Sequence, residues 1–290
     1  MSRDPPEERP PPGAHPHFES ESYRLAFEDP AFQWRDEMRP MRLAAEFAKA
    51  DLVMRDWRIR STVVFFGSAR VRPLGDAEAA PLPVIARREA ALPSDAYEAA
   101  RAFAHRVARY SCAANRAAGG KAAGAPWDYV VCTGGGPGLM EAANRGASEA
   151  GAPTIGLNID LPEEQAPNRF LTPELSFRFQ YFALRKMHFL LRARALAIFP
   201  GGFGTLDELF DALTLMQTRK MAPIPILMFG RDYWRRIIDF DAMVEAGVID
   251  PADRDMLHWP KDPEEGWRLI AAHNGLDAHP PGAPPGKEDL

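Results

Sequence analysis

The sequence predicts a doubly wound α/β fold, in which a parallel β-sheet is covered by helices on both faces. Short, fully apolar runs, typical of strands buried on both sides, alternate along the chain with longer helical patterns. Three of these runs end in glycine-bearing turns, at Gly67, Gly134–Gly138 and Gly201–Gly204. Because parallel strands end at the same edge of a sheet, we expect the three turns to line one cleft.

Composition excludes several classes of protein. The 290 residues carry a formal net charge of −5, which gives no sign of a nucleic-acid partner. The two cysteines, Cys112 and Cys132, form no CxxC pair, so we expect reduced thiols and no metal site. The N-terminus lacks a secretory pattern, and no apolar run reaches transmembrane length. We therefore expect a soluble, cytoplasmic protein with no membrane partner.

The ends of the chain differ from its middle. Residues 1–20 and 274–290 are rich in proline and polar residues, which predicts disordered tails. Residues 21–58 are predicted to be a helical extension, with a helix near 40–57. A single folded domain is expected to span 59–273.

Strands and helices alternate within this domain. Ser94 is a suitable N-cap for the helix that follows the first strand, and residues 71–93 before it are irregular and rich in proline and alanine. The predicted strands cover 62–66, 129–132, 154–158, 196–199 and 224–229. The later helices are predicted from 139, over 181–194, over 206–217 and over 233–240.

The glycine turns predict a phosphate site. Glycine lets backbone N–H groups approach a ligand, and a helix N-terminus adds unpaired donors and partial positive charge. Gly134–Gly138 and Gly201–Thr205 each lead into a helix. The dinucleotide fingerprint fits poorly because Leu139 occupies the place of its third glycine, and no P-loop motif occurs.

Simpler interpretations of the same residues remain open. A glycine at a strand–helix junction often serves only a tight turn. Thr205 and Glu208 also match a capping box, in which each side chain would bond the other residue's backbone N–H.

Two motifs together resemble the LONELY GUY (LOG) family, whose members are also called lysine decarboxylase-like. Its hallmark PGGxGTxxE corresponds to Pro200–Glu208, preceded by GGGPGLMEAA from Gly134. The family's Arg-Lys pair matches Arg185-Lys186, and the GSAR turn matches Gly67–Arg70. The resemblance covers roughly residues 60–245, and the extension and insertion suggest a longer bacterial subtype. No pyridoxal-phosphate site is visible to support decarboxylation.

The resemblance implies a Rossmann-like phosphoribohydrolase. Such enzymes hydrolyse AMP or cytokinin riboside 5′-monophosphates to free base and ribose 5-phosphate, with no metal or organic cofactor. The only ligand expected is this small-molecule nucleotide, and the implied assembly is a homodimer or higher homo-oligomer. Where plant members have Met-His-Glu before the arginine, this chain has Phe182-Ala183-Leu184, which leaves the base preference open.

Arg185 and Glu208 are the predicted catalytic residues. Cleavage of a ribosyl C–N bond builds positive charge on the sugar, which a carboxylate can stabilise while it activates water. We expect the helix dipole to keep Glu208 ionised. Arg185 would hold Glu208 or bind a ribose or phosphate oxygen.

The remaining candidates are substrate contacts. Lys186 is expected to make a second phosphate contact, and Glu141 either contacts the ribose or base or only favours the helix dipole. The predicted substrate-binding residues are Gly67, Ser68, Arg70, Gly134, Gly135, Gly136, Gly138, Leu139, Met140, Glu141, Lys186, Gly201, Gly202, Gly204 and Thr205.

Two other functions fit the same fold. One is a non-catalytic carrier of a nucleotide or a molybdopterin-type cofactor, which needs only the phosphate site. The other is a nucleotide sensor that acts through a partner protein. Retention of both Arg185 and Glu208 favours the enzyme.

Overall fold

The computed structural model describes residues 20–72, 95–160 and 166–278, and in them seven strands form one sheet in the order β4-β3-β2-β1-β5-β6-β7. Every neighbouring pair is parallel, which confirms the predicted doubly wound sheet. The strands are β1 (Thr62–Phe66), β2 (Val130–Thr133), β3 (Thr154–Ile159), β4 (Ser176–Phe179), β5 (Ala193–Ile198), β6 (Ile226–Met228) and β7 (Leu257–His258).

Helices connect most of the strands. The α-helices of the described residues are α1 (Pro30–Gln33), α2 (Arg39–Asp56), α3 (Asp95–Ala117), α4 (Leu139–Glu149), α5 (Phe182–Leu191), α6 (Phe203–Gln217), α7 (Arg231–Ile237), α8 (Phe240–Glu245), α9 (Pro251–Arg254) and α10 (Pro263–His273). Short 3-10 helices lie at Glu21–Tyr23, Ala26–Glu28, Asp36–Met38, Lys121–Ala123 and Pro173–Leu175. The helix predicted near 40–57 is α2. Within these described ranges, no helix has the length and apolar composition to cross a bilayer.

The central strand β1 shows how the helices pack on both faces of the sheet. Its five residues are all buried, and successive side chains of a strand point to opposite faces of the sheet. Val63 and Phe65 pack with α3, α4 and α10 on one face. Val64 and Phe66 pack with α5, α6 and α7 on the other face. Both faces are therefore covered by helices, as the apolar strand pattern predicts.

The chain divides into two compact units, Met1–Ala48 and Lys49–Leu290. In the described part of the first unit, Arg42 donates a hydrogen bond to the Gln33 carbonyl oxygen, and its guanidinium lies 5.3 Å from the Trp34 ring centroid. The second unit contains the whole sheet and the three glycine turns.

The elements without a predicted counterpart include β4, β7, α9 and α10. In addition, α6 begins at Phe203 rather than at 206, and the helix predicted over 233–240 is replaced by α7 and the start of α8. The predicted cap Ser94, nearly all of the predicted insertion 71–93, and the tail residues 1–19 and 279–290 lie outside the described residues. Residues 274–278 fold back onto α10, where the Trp267 indole N–H donates to the Ala278 carbonyl oxygen at 2.7 Å.

Candidate active site

The three predicted turns meet at one edge of the sheet. β1 lies between β2 and β5, so their carboxyl ends are neighbours. Ser68 donates its backbone N–H to the Pro200 carbonyl oxygen, and Leu139 donates to the Ser68 carbonyl oxygen, both at 3.0 Å. The turn after β1 is thus bonded to both neighbouring turns. Strand order reverses at β1, which is where doubly wound folds bind their ligands.

The turn Gly134–Gly138, here the β2 turn, presents backbone donors. Gly135 and Gly138 have φ angles of +74° and +71°, which favour glycine. Among the described residues, the N–H groups of Gly136 and Gly138 have no hydrogen-bond acceptor. Because buried N–H groups are almost always paired, these two are available to a ligand.

The turn Gly201–Gly204, here the β5 turn, is more open. Its last two residues form the start of α6, whose N-cap Gly202 has no side-chain cap. No acceptor within the described chain is bonded to the N–H groups of these four residues. A Cβ added at Gly202 or Gly204 would meet no atom within 4 Å. The helix N-terminus therefore faces unfilled space with several free donors, which suits an anion.

Thr205 and Glu208 do not form the capping box that their sequence allows. Since α6 begins at Phe203, Glu208 lies in the second helical turn and not in the first. The Thr205 backbone N–H bonds the Gly202 carbonyl oxygen at 3.0 Å. The capping interpretation is wrong because the helix begins three residues earlier than predicted, at Phe203, with Gly202 as its N-cap.

Glu208 is buried, with 6% of its surface exposed. Burial raises the pKa of its carboxyl to about 7, and the charges of Arg185 and Lys186 only partly oppose this effect. We expected the helix dipole to keep Glu208 ionised, but desolvation of this carboxyl in the second turn raises its pKa instead. Near neutral pH the group is poised between its two protonation states, as a general base requires.

Arg185 joins three elements at this edge. Its Nε donates to the Leu157 carbonyl oxygen of β3 at 2.7 Å. A Cβ added at Gly134 would lie 2.6 Å from its Nη2, so the guanidinium lies directly against the β2 turn. Burial lowers the pKa of Arg185, whereas the Glu208 charge raises it. In the described chain no direct ion pair joins Arg185 to Glu208, yet the two charges are close enough to affect each other.

Lys186 and Glu141 have protein partners. Lys186 Nζ forms an ion pair with Asp207 Oδ1 at 2.7 Å. Glu141, in the first turn of α4, accepts a hydrogen bond from the buried Tyr97 hydroxyl at 3.2 Å. Burial and the Glu141 charge raise the pKa of Tyr97 to about 12, so the hydroxyl stays a donor.

The other predicted contacts line the same edge. Ser68 Oγ accepts a hydrogen bond from the Arg70 backbone N–H at 3.1 Å. A Cβ at Gly67 would lie 2.8 Å from Leu139 Cδ1, and one at Gly134 would lie 2.8 Å from Met140 Sδ. Leu139 and Met140 therefore fill the space beside two glycines. Thr205 lies close to Gly201, where an added Cβ would overlap the Thr205 side chain.

Comparison with known proteins shows a similarity to one family over part of the chain. The model of the family described as "Possible lysine decarboxylase" matches residues 140–270. The chain is 30% identical over 133 residues to "Cytokinin riboside 5′-monophosphate phosphoribohydrolase LOG3" of Arabidopsis thaliana, and the match covers 44% of this chain. Over these residues the chain is similar to the LOG, or lysine decarboxylase-like, family.

These matches are partial in length or distant in sequence. The chain spans 60% of the length of the curated LOG relative that it matches. Among solved structures, the structural-genomics target TM1055 is 20% identical, with a TM-score of 0.46 over 72% of this chain and 98% of the other. A protein titled a molybdenum cofactor binding protein, from Rippkaea orientalis, is 18% identical, with a TM-score of 0.44 over 75% and 98%. The fold assignment rests on the sheet topology itself.

The structure adds residues that the LOG motifs do not contain. Tyr97 bonds Glu141, Tyr233 donates its hydroxyl to the Gly201 carbonyl oxygen at 2.7 Å, and Asn168 bonds the β2 turn. Each comes from an element far from the glycine motifs in sequence. Among the described residues, no group of three or more His, Cys, Asp or Glu side chains could hold a metal ion.

Proposed function

We propose that this chain hydrolyses the N-glycosidic bond of a purine nucleoside 5′-monophosphate and releases the base and ribose 5-phosphate. The observation that carries the proposal is the position of Glu208. This buried carboxyl, with a pKa of about 7, lies one turn beyond a helix start that offers free N–H groups. A phosphate at that helix start would place the attached sugar beside the carboxyl.

The two glycine turns supply the binding energy for the phosphate. The N–H groups of Gly136 and Gly138 from one turn, and those of the β5 turn from the other, are unpaired in the described chain. Several such donors and two helix N-termini stabilise a dianion without any metal. Arg185, which lies against Gly134, adds a fixed positive charge.

Glu208 supplies the chemistry at the sugar. As the C1′–N9 bond breaks, its electron pair goes to the purine and positive charge builds on the ribose. The Glu208 carboxylate stabilises that charge and takes a proton from the water whose oxygen bonds C1′. The proton then passes to the departing base, which restores the carboxylate. The Arg185 charge favours the ionised form of Glu208 between these steps.

The test is release of base from a panel of AMP, GMP, IMP and CMP, with ribose 5-phosphate measured in parallel. We expect cleavage of at least one purine monophosphate, and a loss of kcat of roughly 1,000-fold in Glu208→Gln. Glu245→Gln, at an exposed glutamate of α8, is the matched control and should retain activity. Binding of a nucleotide without cleavage would replace the enzyme by a carrier or sensor.

The base preference and the assembly belong to the same proposal. From the resemblance we propose that the base binds near Phe182-Ala183-Leu184, in the first turn of α5, and the panel determines which base is accepted. We propose a homodimer that uses the outer face of α5, because Met187 and Leu191 are exposed there one turn apart. Light scattering should then give about twice the chain mass of 32.2 kDa, and Met187→Glu should reduce it to one chain.

A further inference from the structure

Four buried polar side chains lie behind the β2 turn. Thr133, Asn144 and Thr154 are almost fully buried, and Asn168 is 9% exposed. Burying polar groups costs free energy unless they are hydrogen-bonded. A cluster of this kind in an otherwise apolar core indicates a function beyond packing.

The hydrogen bonds of the cluster form a closed path around the turn. The Gly135 backbone N–H donates to Thr133 Oγ1 at 2.9 Å, and the Thr133 hydroxyl donates to Asn144 Oδ1 at 2.7 Å. Asn168 Nδ2 donates to the same Asn144 oxygen at 2.8 Å and to the Gly136 carbonyl oxygen at 3.0 Å. The path begins and ends on adjacent residues of the turn.

These hydrogen bonds fix the orientation of two carbonyl groups in the turn. The backbone N–H of Asn168 bonds the Gly135 carbonyl oxygen at 2.9 Å, and its side chain bonds the Gly136 carbonyl oxygen. Both carbonyl groups therefore point toward Asn168 in the interior. A carbonyl oxygen facing the cleft would repel a phosphate, whereas the free N–H groups of Gly136 and Gly138 attract one.

We propose that Asn168 is a positioning residue, which sets the anion-binding shape of the β2 turn by holding its carbonyl oxygens away from the ligand. Asn168 touches no reacting atom and acts through the turn. The proposal deepens the proposed function, because the anion it concerns is the 5′-phosphate of that substrate. It depends on phosphate binding alone, however, and stands or falls separately from hydrolysis.

The experiment measures binding of inorganic phosphate by titration calorimetry on the full chain. Asn168→Ala is expected to weaken phosphate binding roughly 10- to 100-fold, because a displacement of the turn's N–H groups by about 1 Å can cost that much. The matched control is Asn115→Ala in α3. Asn115 is also buried and also donates to two backbone carbonyl oxygens, those of Ala125 and Pro126. Both variants should lower the melting temperature, but only Asn168→Ala should weaken phosphate binding.

A second pair of variants keeps the proposal testable if Asn168→Ala does not fold. Thr133→Val removes the hydroxyl that bonds Gly135. The control Thr62→Val removes a buried hydroxyl of β1 that has no hydrogen-bond partner among the described residues. We expect weaker phosphate binding in Thr133→Val alone, and a higher KM for the monophosphate with a smaller change in kcat. Equal phosphate affinity in all folded variants, or no phosphate binding by the unmodified chain, overturns the proposal. Phosphate binding that depends on Asn168 without any hydrolysis overturns only the proposed function.

Discussion

The two glycine turns, after β2 and after β5, look alike in sequence but are held in different ways. The β2 turn is surrounded by protein: an added Cβ at Gly135 would lie 2.5 Å from Asn158 Oδ1, and one at Gly138 would lie 2.5 Å from the Ser68 carbonyl oxygen. The β5 turn has space around Gly202 and Gly204. Glycine is therefore required by the fold at Gly135 and Gly138, whereas at Gly202 and Gly204 it leaves room for a ligand.

Alanine substitutions separate these two roles most strongly. Gly138 combines φ +71° with ψ −131°, a region that is essentially limited to glycine. Gly138→Ala should lower the free energy of unfolding by roughly 3 kcal/mol or more. Gly202→Ala has no positive φ and no close contact, so it should cost at most about 1 kcal/mol. Urea unfolding measures both, and equal losses would show that the two turns are constrained alike.

Gly202→Ala is expected to change function without changing the fold. Its added methyl group would occupy the space beside the free N–H groups, so we expect KM for the monophosphate to rise about tenfold. Steady-state kinetics on the folded variant tests this. An unchanged KM would show that the phosphate does not bind at the β5 turn.

Glu208, one turn beyond the β5 turn, should make the stability of the protein depend on pH. Its pKa of about 7 in the folded chain lies above its ordinary value near 4.5, so the native state binds more protons than the unfolded state between these pH values. Stability must then fall as pH rises through that window, and the loss is complete above about pH 7. Glu208→Gln removes the ionisable group and should stabilise the protein at pH 8 by roughly 1–3 kcal/mol, but not at pH 4.

The same group should appear in the kinetics. If the ionised form is the base, kcat/KM rises with pH to a plateau above about pH 7. A profile that instead falls through pH 7 would make Glu208 the acid. A stability difference that does not change between pH 4 and pH 8 would show that Glu208 is not desolvated.

The sequence predicted the five inner strands of the sheet but not its two edge strands, β4 and β7. β1 and its neighbours are apolar on both sides, so five strands and the helices between them were recognisable from pattern. β4 was missed because it alternates Phe177 and Phe179 with polar residues over only four positions, and β7 has two residues. The start of α6 was placed too late because glycine is a poor helix former, yet here it occupies the first turn.

The motifs of the candidate site could be predicted from the sequence, but the hydrogen bonds and burial that connect them could not. Gly134–Gly138, Gly201–Gly204, Arg185 and Glu208 stand in a recognisable order, and the fold brings them to one edge. The raised pKa of Glu208 depends on burial by the folded chain, which no local pattern reports. Asn168 bonds a turn more than thirty residues away, so its role could be found only in three dimensions.

The central position of β1 also determines when the sheet can form during synthesis. β1 pairs with β2 and with β5, and β5 ends about 130 residues after β1. Ribosomes add about 5–20 residues per second, so the completed strand would wait roughly 7–26 s for its second partner. An apolar strand with one open edge invites pairing with other chains during that interval. The nascent chain is therefore expected to be most prone to aggregation just before residue 198 leaves the ribosome.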